Sequence, residues 1–421
     1  MRHLIIGAGP AGVIAAETLR KIEPEASITL IGDEPEPPYS RMAIPYLLNG
    51  QIDEAGTYLR KTEGHYETLG IELRQGRVTT VDPAAHTATL ESGDTLNYDR
   101  LLVATGSRPV APPIDGMDLP GVHPCWTMAH AREISTRTQS GSRVVLMGAG
   151  FIGSIILESL VRQGAELTVV EMEDRMVPRM MNSTAGGMLK SWCQDKGVVV
   201  LTSTRVKAVT EAGKELEVQL ESGEVIKADL GITATGVRAN CEFLQDSGIE
   251  LDGGVRVNTR MQSSDTHVFA AGDVAVSPDL STGEYSAHAI QPAAADHGRV
   301  AAINMSGRVT CQRGTLHMNV LDTMGLISSS FGQWMGVDGG QSAELCDDAK
   351  YRYLNLQFQD DQLVGASSVG ITENIGVLRG LIQSRVRLGK QVNQLLDDPT
   401  RFMQVYIGST QTIDAAARLS L

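Results

Sequence analysis

Two glycine fingerprints lie about 140 residues apart in this chain: Gly7-Ala8-Gly9-Pro10-Ala11-Gly12 and Gly148-Ala149-Gly150-Phe151-Ile152-Gly153. In such a pattern the first glycine makes a tight turn, the second lets a pyrophosphate approach the backbone, and the third allows close helix–strand packing. The chemistry is electrostatic, because the free N–H groups at a helix start hold phosphate. Each fingerprint follows a short apolar run (residues 4–6 and 144–147) and opens a helical pattern. Each unit then reaches a second apolar run ending in acid: 28–31 before Asp33, and 167–170 before Glu171. A carboxylate there accepts ribose hydroxyls. One such unit binds one dinucleotide. Two units read as a meeting place for FAD and a nicotinamide cofactor.

Glu171 also bears on which nicotinamide cofactor binds. A carboxylate there bonds the 2′-hydroxyl of NAD and repels the 2′-phosphate of NADP. At ~4 Å that repulsion is about 1 kcal/mol in water and about 4 kcal/mol at an effective dielectric of 20. NADH is therefore expected over NADPH. Arg175 is close enough in sequence to blunt the effect, or is a plain surface arginine.

These motifs need elements to position them. Residues 71–105 alternate apolar and polar runs around Glu91-Ser92-Gly93-Asp94, as a small β-meander does, and residues 198–228 repeat the pattern. Pro109, Pro112, Pro113, Pro120 and Pro124 make a stiff link between the two units. Residues 311–421 read as a third unit, strand-like at 351–358 and helical at 374–388 and 398–406. The expected division is a discontinuous FAD domain (1–110 and 240–310), a NAD domain (111–239) and a C-terminal domain (311–421).

At 421 residues the chain suits two or three domains. Its net charge of −14 argues against nucleic acid as a partner. A local basic group, Arg379, Arg385, Arg387 and Lys390, reads as a solvated helix face. No stretch approaches the ~20 apolar residues of a membrane span, and Met1-Arg2-His3 leads straight into a strand-like run, so a cytoplasmic protein is expected. The five cysteines (Cys125, Cys193, Cys241, Cys311, Cys346) are far apart and form no C-x-x-C pair, which argues against a disulfide framework.

The chain resembles the FAD/NAD-linked pyridine nucleotide–disulfide oxidoreductase superfamily over nearly its full length. Ala104-Thr105-Gly106 and Ala234-Thr235-Gly236-Val237-Arg238 are similar to the two A-T-G segments that mark crossings between the FAD and NAD domains. Thr266-His267-Val268-Phe269-Ala270-Ala271-Gly272-Asp273 is similar to the late FAD motif, and the resemblance gives Asp273 the ribityl or pyrophosphate part of FAD. It also places the backbone of Val78 at the adenine. The implied fold is α/β: two Rossmann-like dinucleotide-binding domains and a C-terminal α+β interface domain.

The segment Pro38-Tyr39-Ser40-Arg41-Met42-Ala43-Ile44-Pro45-Tyr46-Leu47-Leu48 resembles two branches at once, and Arg41 is carried over as an FAD contact. NADH oxidases and coenzyme A disulfide or persulfide reductases have a redox cysteine at the position of Met42. Ferredoxin and rubredoxin reductases have a lysine at Tyr46 and its partner glutamate at Ile155. Cysteine, lysine and glutamate are all missing here. A thioether forms no thiolate and no mixed disulfide, so Met42 reads as a packing residue. Losing both charges strands neither beside the flavin. Tyr46 reads as a flavin or substrate hydrogen-bond donor, or as core. With Ile155, these residues are the candidates for the flavin face; no catalytic acid, base or nucleophile is assigned.

Residues 316–326, Leu-His-Met-Asn-Val-Leu-Asp-Thr-Met-Gly-Leu, are similar to the start of the interface domain in the NADH-oxidase and disulfide-reductase branch, which implies a homodimer through the C-terminal domain. His288, Gln291 and His297 fall near the flavin's pyrimidine end in that family. The reading is an FAD-dependent NADH oxidoreductase: hydride passes from NADH to flavin N5, and electrons then go to a small molecule, oxygen or a redox carrier protein. No metal is expected. One rival is a disulfide, persulfide or polysulfide reductase with a relocated cysteine, Cys125 or Cys311. Another is a non-enzymatic redox sensor binding FAD and NADH.

Overall fold

The computed structural model describes residues 1–409. Two five-stranded parallel sheets carry the two fingerprints. The first runs in the order Val268–Ala270, Arg100–Val103, Arg2–Ile6, Ser27–Gly32, Ile71–Gln75. The second runs Val199–Leu201, Glu166–Val170, Arg143–Met147, Leu230–Thr233, Val122–Pro124. Their central strands are buried almost end to end. That is why they read as unbroken apolar runs, as parallel strands covered on both faces do.

In the first unit the helix Pro10–Ile22 begins with proline, whose fixed φ suits a first helical turn. It buries Ala11, Ala15, Ala16 and Leu19. The helix Gln291–Met305 lies against it so closely that a Cβ on Gly298 would stand 2.3 Å from the Ala11 carbonyl oxygen. Small residues at this crossing bring two helix starts to the same end of the sheet.

The two halves are joined by a short ribbon, with Ser107–Pro109 antiparallel to Val237–Ala239. Thr105 Oγ1 donates to the Asn240 carbonyl at 2.6 Å, and Asn240 Nδ2 donates back to the Thr105 carbonyl at 3.0 Å. Thr235 Oγ1 donates to the Val110 carbonyl at 2.8 Å. Both A-T-G segments are thus pinned where the chain crosses.

The C-terminal unit is a five-stranded antiparallel sheet: Met318–Thr323, Leu326–Gly332, Gln362–Val369, Arg352–Gln359, Gln341–Asp347. It docks on the second half, where Trp192 Nε1 donates to the Thr323 carbonyl at 3.0 Å and Asn182 Nδ2 donates to the Tyr353 hydroxyl at 2.5 Å.

Several sequence expectations shift. The meanders are shorter than 71–105 and 198–228: only Val78–Asp82, Thr87–Leu90 and Thr95–Asn97 form the first, and Val206–Ala212, Glu215–Leu220 and Val225–Ala228 the second. Their expected flanks, Ile71–Gln75, Arg100–Val103 and Val199–Leu201, belong to the parallel sheets; short apolar runs do not say which sheet they join. The helix expected over 374–388 is Gly376–Ser384, ended by Arg385 in a left-handed conformation. Arg385 and Arg387 are exposed, as expected, but they lie past the helix end rather than on its face: Arg385 bonds the Leu280 carbonyl and Arg387 pairs with Asp361 at 3.2 Å. The expected extent of the last unit to 421 passes beyond the described residues. Among the described residues, no helix is long and apolar enough to cross a membrane.

Candidate active site

One cavity of about 1180 Å³ runs between the two fingerprints. Its wall includes Gly7, Gly9, Pro10, Ala11, Asp33, Arg41, Met42, Ala104, Thr105, Gly106, Gly272 and Asp273 from the first half. From the second it includes Gly148, Gly150, Phe151, Ile152, Ile155, Glu171 and Gly236. Gly12, Gly153, Val78 and Tyr46 are not part of the wall. Gly12 and Gly153 lie behind it: a Cβ on them would stand 2.0 Å from the Gly7 carbonyl oxygen and 2.2 Å from that of Gly148. Val78 opens a strand and buries its side chain in the core of the first half.

The first glycine of each fingerprint does the same mechanical job. Gly7 has φ +113° and Gly148 φ +104°, and their built Cβ atoms would fall 2.1 Å and 2.6 Å from the carbonyl oxygens of Ala104 and Ala234. Each turn therefore packs directly on an A-T-G segment. The middle glycines differ. A Cβ on Gly9 or Gly150 meets nothing within 4 Å, so these positions leave a cradle open to the cavity.

The helix starts fit an anionic ligand. Gly9 and Gly150 are the N-caps of Pro10–Ile22 and Phe151–Arg162, with no side-chain cap and no acid in the first turn. Helices Met128–Arg137 and Ser183–Asp195 are capped in the ordinary way by Thr127 and Asn182. An uncapped start presents its N–H groups and the positive end of the helix dipole to whatever sits in front. The pyrophosphates of FAD and of a nicotinamide dinucleotide match that geometry at the two cradles.

Around the first cradle, Arg41 Nη2 pairs with Glu34 at 2.6 Å, Arg41 Nη1 donates to the Trp126 carbonyl at 2.8 Å, and Tyr39 donates its hydroxyl to Glu34 at 2.7 Å. Glu34 is a wall residue that the sequence reading missed; it directly follows the singled-out Asp33. Asp273 accepts from Ser107 Oγ at 2.8 Å. Burial pushes its carboxyl pKa up, against the pull of Ser107 and the nearby Arg41.

At the second cradle the Glu171 carboxylate accepts the Ala149 N–H at 2.7 Å and the Glu173 N–H at 2.9 Å. It thereby ties the second strand's end to the fingerprint turn. Arg175 does not reach the wall: its Nε donates to the Met181 carbonyl at 2.9 Å and its Nη1 pairs with Asp174 at 2.6 Å. Arg179, Arg205 and Lys207 do line that end, and no motif in the sequence marks them.

At the middle of the cavity, Met42 is 44% exposed on the wall rather than packed. Tyr46 is 53% exposed and off the wall, so it is neither core nor a cavity donor. Its short helix, Ile44–Leu48, is held by its backbone instead: Ser159 Oγ donates to the Pro45 carbonyl at 2.9 Å, and Gln163 bonds that of Leu48. Ile155 stands on the wall, giving it an apolar surface at the position of the missing glutamate. Among the cysteines, Cys125 alone lines the cavity; it is buried, and burial pushes its thiol up to about 12. Cys311 is exposed and off the wall. His288 and Gln291 line the far end, whereas His297 is buried behind it against Thr315 Oγ1 at 2.7 Å, its pKa pushed down to about 4 by burial.

The profile of the pyridine nucleotide-disulphide oxidoreductase family matches residues 1–298. The chain is 29% identical over 401 residues to the NADH-dependent phenylglyoxylate dehydrogenase subunit epsilon of Aromatoleum evansii, covering 94% of this chain and 95% of that protein. It is 31% identical over 314 residues to the 3-phenylpropionate/cinnamic acid dioxygenase ferredoxin–NAD(+) reductase component of Photorhabdus laumondii, covering 74% and 79%. The fold also matches putidaredoxin reductase in its covalent complex with putidaredoxin, with a TM-score of 0.90 at 24% identity over 97% of this chain and 99% of the other. With two open dinucleotide cradles on one cavity and this profile across both, the chain belongs to the pyridine nucleotide-disulphide oxidoreductase family and is an FAD-dependent NAD(P)H oxidoreductase.

Proposed function

We propose that this flavoenzyme takes electrons from NADH and passes them to a redox carrier protein rather than to a disulfide or persulfide. The observation that carries this reading is the cavity itself: both fingerprints open onto it, and its wall holds no activated thiol. FAD, when bound, accepts hydride as an electron pair and can release electrons singly. The chain's own groups do the rest. The two uncapped helix starts hold the pyrophosphates, Asp273 and Arg41 fix the flavin nucleotide, and Ile155 and Phe151 keep water from the middle of the cavity. Relatives named as a ferredoxin–NAD(+) reductase component and as a subunit of an NADH-dependent dehydrogenase support a protein acceptor.

The rival with a relocated cysteine has one candidate, Cys125, since it alone lines the cavity. A thiol held near pKa 12 is almost wholly protonated at neutral pH, and the thiol is not the nucleophile. The carrier reading is tested with a small iron–sulfur protein as acceptor. We expect NADH-driven reduction to outpace oxygen consumption and to slow as salt rises, because charge steers such encounters. Persulfide or disulfide reduction faster than any carrier's, abolished by Cys125→Ser, would overturn it.

NADH is read as the preferred donor because the Glu171 carboxylate is fixed at the wall by two backbone N–H groups and Arg175 is turned away. Glu171→Gln is expected to raise the NADPH-to-NADH ratio of kcat/KM by about tenfold or more. Equal use of both donors by the unaltered protein would mean that Arg179, Arg205 and Lys207 hold the 2′-phosphate. A homodimer is read from the C-terminal sheet, whose Val320 and Ile327 are exposed. Light scattering should then give twice the chain's 45.1 kDa; a value of 45.1 kDa would exclude it.

A further inference from the structure

Three side chains converge from separate segments near the far end of the cavity: His288 and His317 on its wall, and Asp279 buried behind them. Asp279 follows the strand Ala275–Pro278, His288 follows Tyr285–Ala287, and His317 precedes Met318–Thr323. One ligand atom of each lies within 4.8 Å of the other two. Asp279 Oδ2 is 3.2 Å from His288 Nε2 and 3.9 Å from His317 Nε2. Ligands around one tetrahedral zinc stand about 3.3 Å apart, given bonds of roughly 2.0–2.2 Å.

The supporting groups leave those atoms aimed at one point. Asp279 Oδ1 is taken by the Ser281 N–H at 2.7 Å, the Thr282 N–H at 2.8 Å and the Thr282 hydroxyl at 3.2 Å, so Oδ2 faces the histidines. His288 Nδ1 is turned to Ser277 Oγ at 3.5 Å, the outer-shell arrangement that fixes a ligating imidazole. Ser286 Oγ sits 3.1 Å from His317 Nε2 and 3.4 Å from His288 Nε2 as a fourth polar group. The two rings lie 4.4 Å apart. Asp279 and His288 are buried, while the His317 side chain is 47% exposed and both histidines line the cavity. An ion therefore has a path in, and a coordination position facing the cavity.

We propose that Asp279, His288 and His317 bind one divalent transition-metal ion of the zinc class on the wall of the nucleotide cavity. Two imidazoles and a single carboxylate suit zinc or ferrous iron and not magnesium or calcium, which take oxygen ligands. The site goes beyond the electron-transfer reading and stands or falls without it.

The test is equilibrium dialysis of the chelator-treated, FAD-loaded protein against micromolar Zn²⁺, with bound zinc read by elemental analysis. The unaltered protein should retain about one zinc per chain. His317→Ala, half-exposed and so tolerated by the fold, and Asp279→Asn, which keeps the Oδ1 acceptor, should each weaken binding at least tenfold at unchanged flavin content. His317→Cys supplies a new ligand and should restore retention. His65→Ala, remote from the cluster, should bind as the unaltered protein does. No retained zinc in the unaltered protein, or equal retention in His317→Ala, would overturn the proposal and leave an Asp–His hydrogen-bond cluster.

Discussion

Gly150→Glu is expected to leave the protein folded and yellow while raising the KM for NADH by about 100-fold or more. The position tolerates a side chain: its φ is −71° and ψ −171°, ordinary extended backbone, and a Cβ there meets no atom within 4 Å. The new carboxylate would stand in the cradle before an uncapped helix start, where the proposed function puts the pyrophosphate of the nicotinamide dinucleotide. One like-charge contact at ~4 Å costs about 4 kcal/mol at an effective dielectric of 20, and each 1.4 kcal/mol is roughly tenfold. Flavin content and melting temperature should match the unaltered protein, because the cradle proposed for FAD lies on the other sheet. Steady-state kinetics beside a flavin spectrum separate the two effects. A KM within about threefold of the original would mean that NADH does not use this helix.

Gly7→Ala should fail differently, at the level of the fold. Gly7 has φ +113°, and the added methyl would stand 2.1 Å from the Ala104 carbonyl oxygen and 2.4 Å from its carbon. Backbone strain and overlap act together on a packed A-T-G turn. The cost is expected at about 4 kcal/mol or more, a large share of the roughly 5–15 kcal/mol that holds a domain together. The expected result is largely insoluble or flavin-free protein. Gly9→Ala, only two residues away, is the contrast. Its φ is −79° and its methyl meets no protein atom, so it should fold normally and lose affinity for FAD alone. Similar melting temperatures for the two variants would contradict this account of the turn.

What the sequence made legible is what local geometry demands. The strand–glycine turn–helix spacing, the open N-cap and the acid at the end of the next strand all fall within one βαβ unit, although the carbonyls that Gly7 and Gly148 pack on belong to the distant Ala104 and Ala234. Hence Gly7, Gly148, Asp33 and Glu171 stand out before any fold is known. What stayed hidden depends on distant chain segments. From its place in a motif Tyr46 reads as a flavin or substrate donor or as core, yet its side chain is exposed and off the cavity wall. Cys125 comes to the cavity only because Val122–Pro124 joins the edge of the second sheet. Arg205 and Lys207 line the wall through the loop and strand after Val199–Leu201. The Asp279–His288–His317 group spans three segments, and no spacing within one of them announces it.

The central claim is that this cavity joins two dinucleotides and no reactive thiol, so that the flavin is the sole redox centre. Anaerobic titration of the purified flavoprotein with NADH, followed by its visible spectrum, tests it most directly. The account predicts complete bleaching at about one NADH per flavin, with no long-wavelength band from a thiolate beside the flavin. Consumption of about two NADH per flavin, reduced to one by Cys125→Ser, would contradict it and make this a cysteine-based reductase.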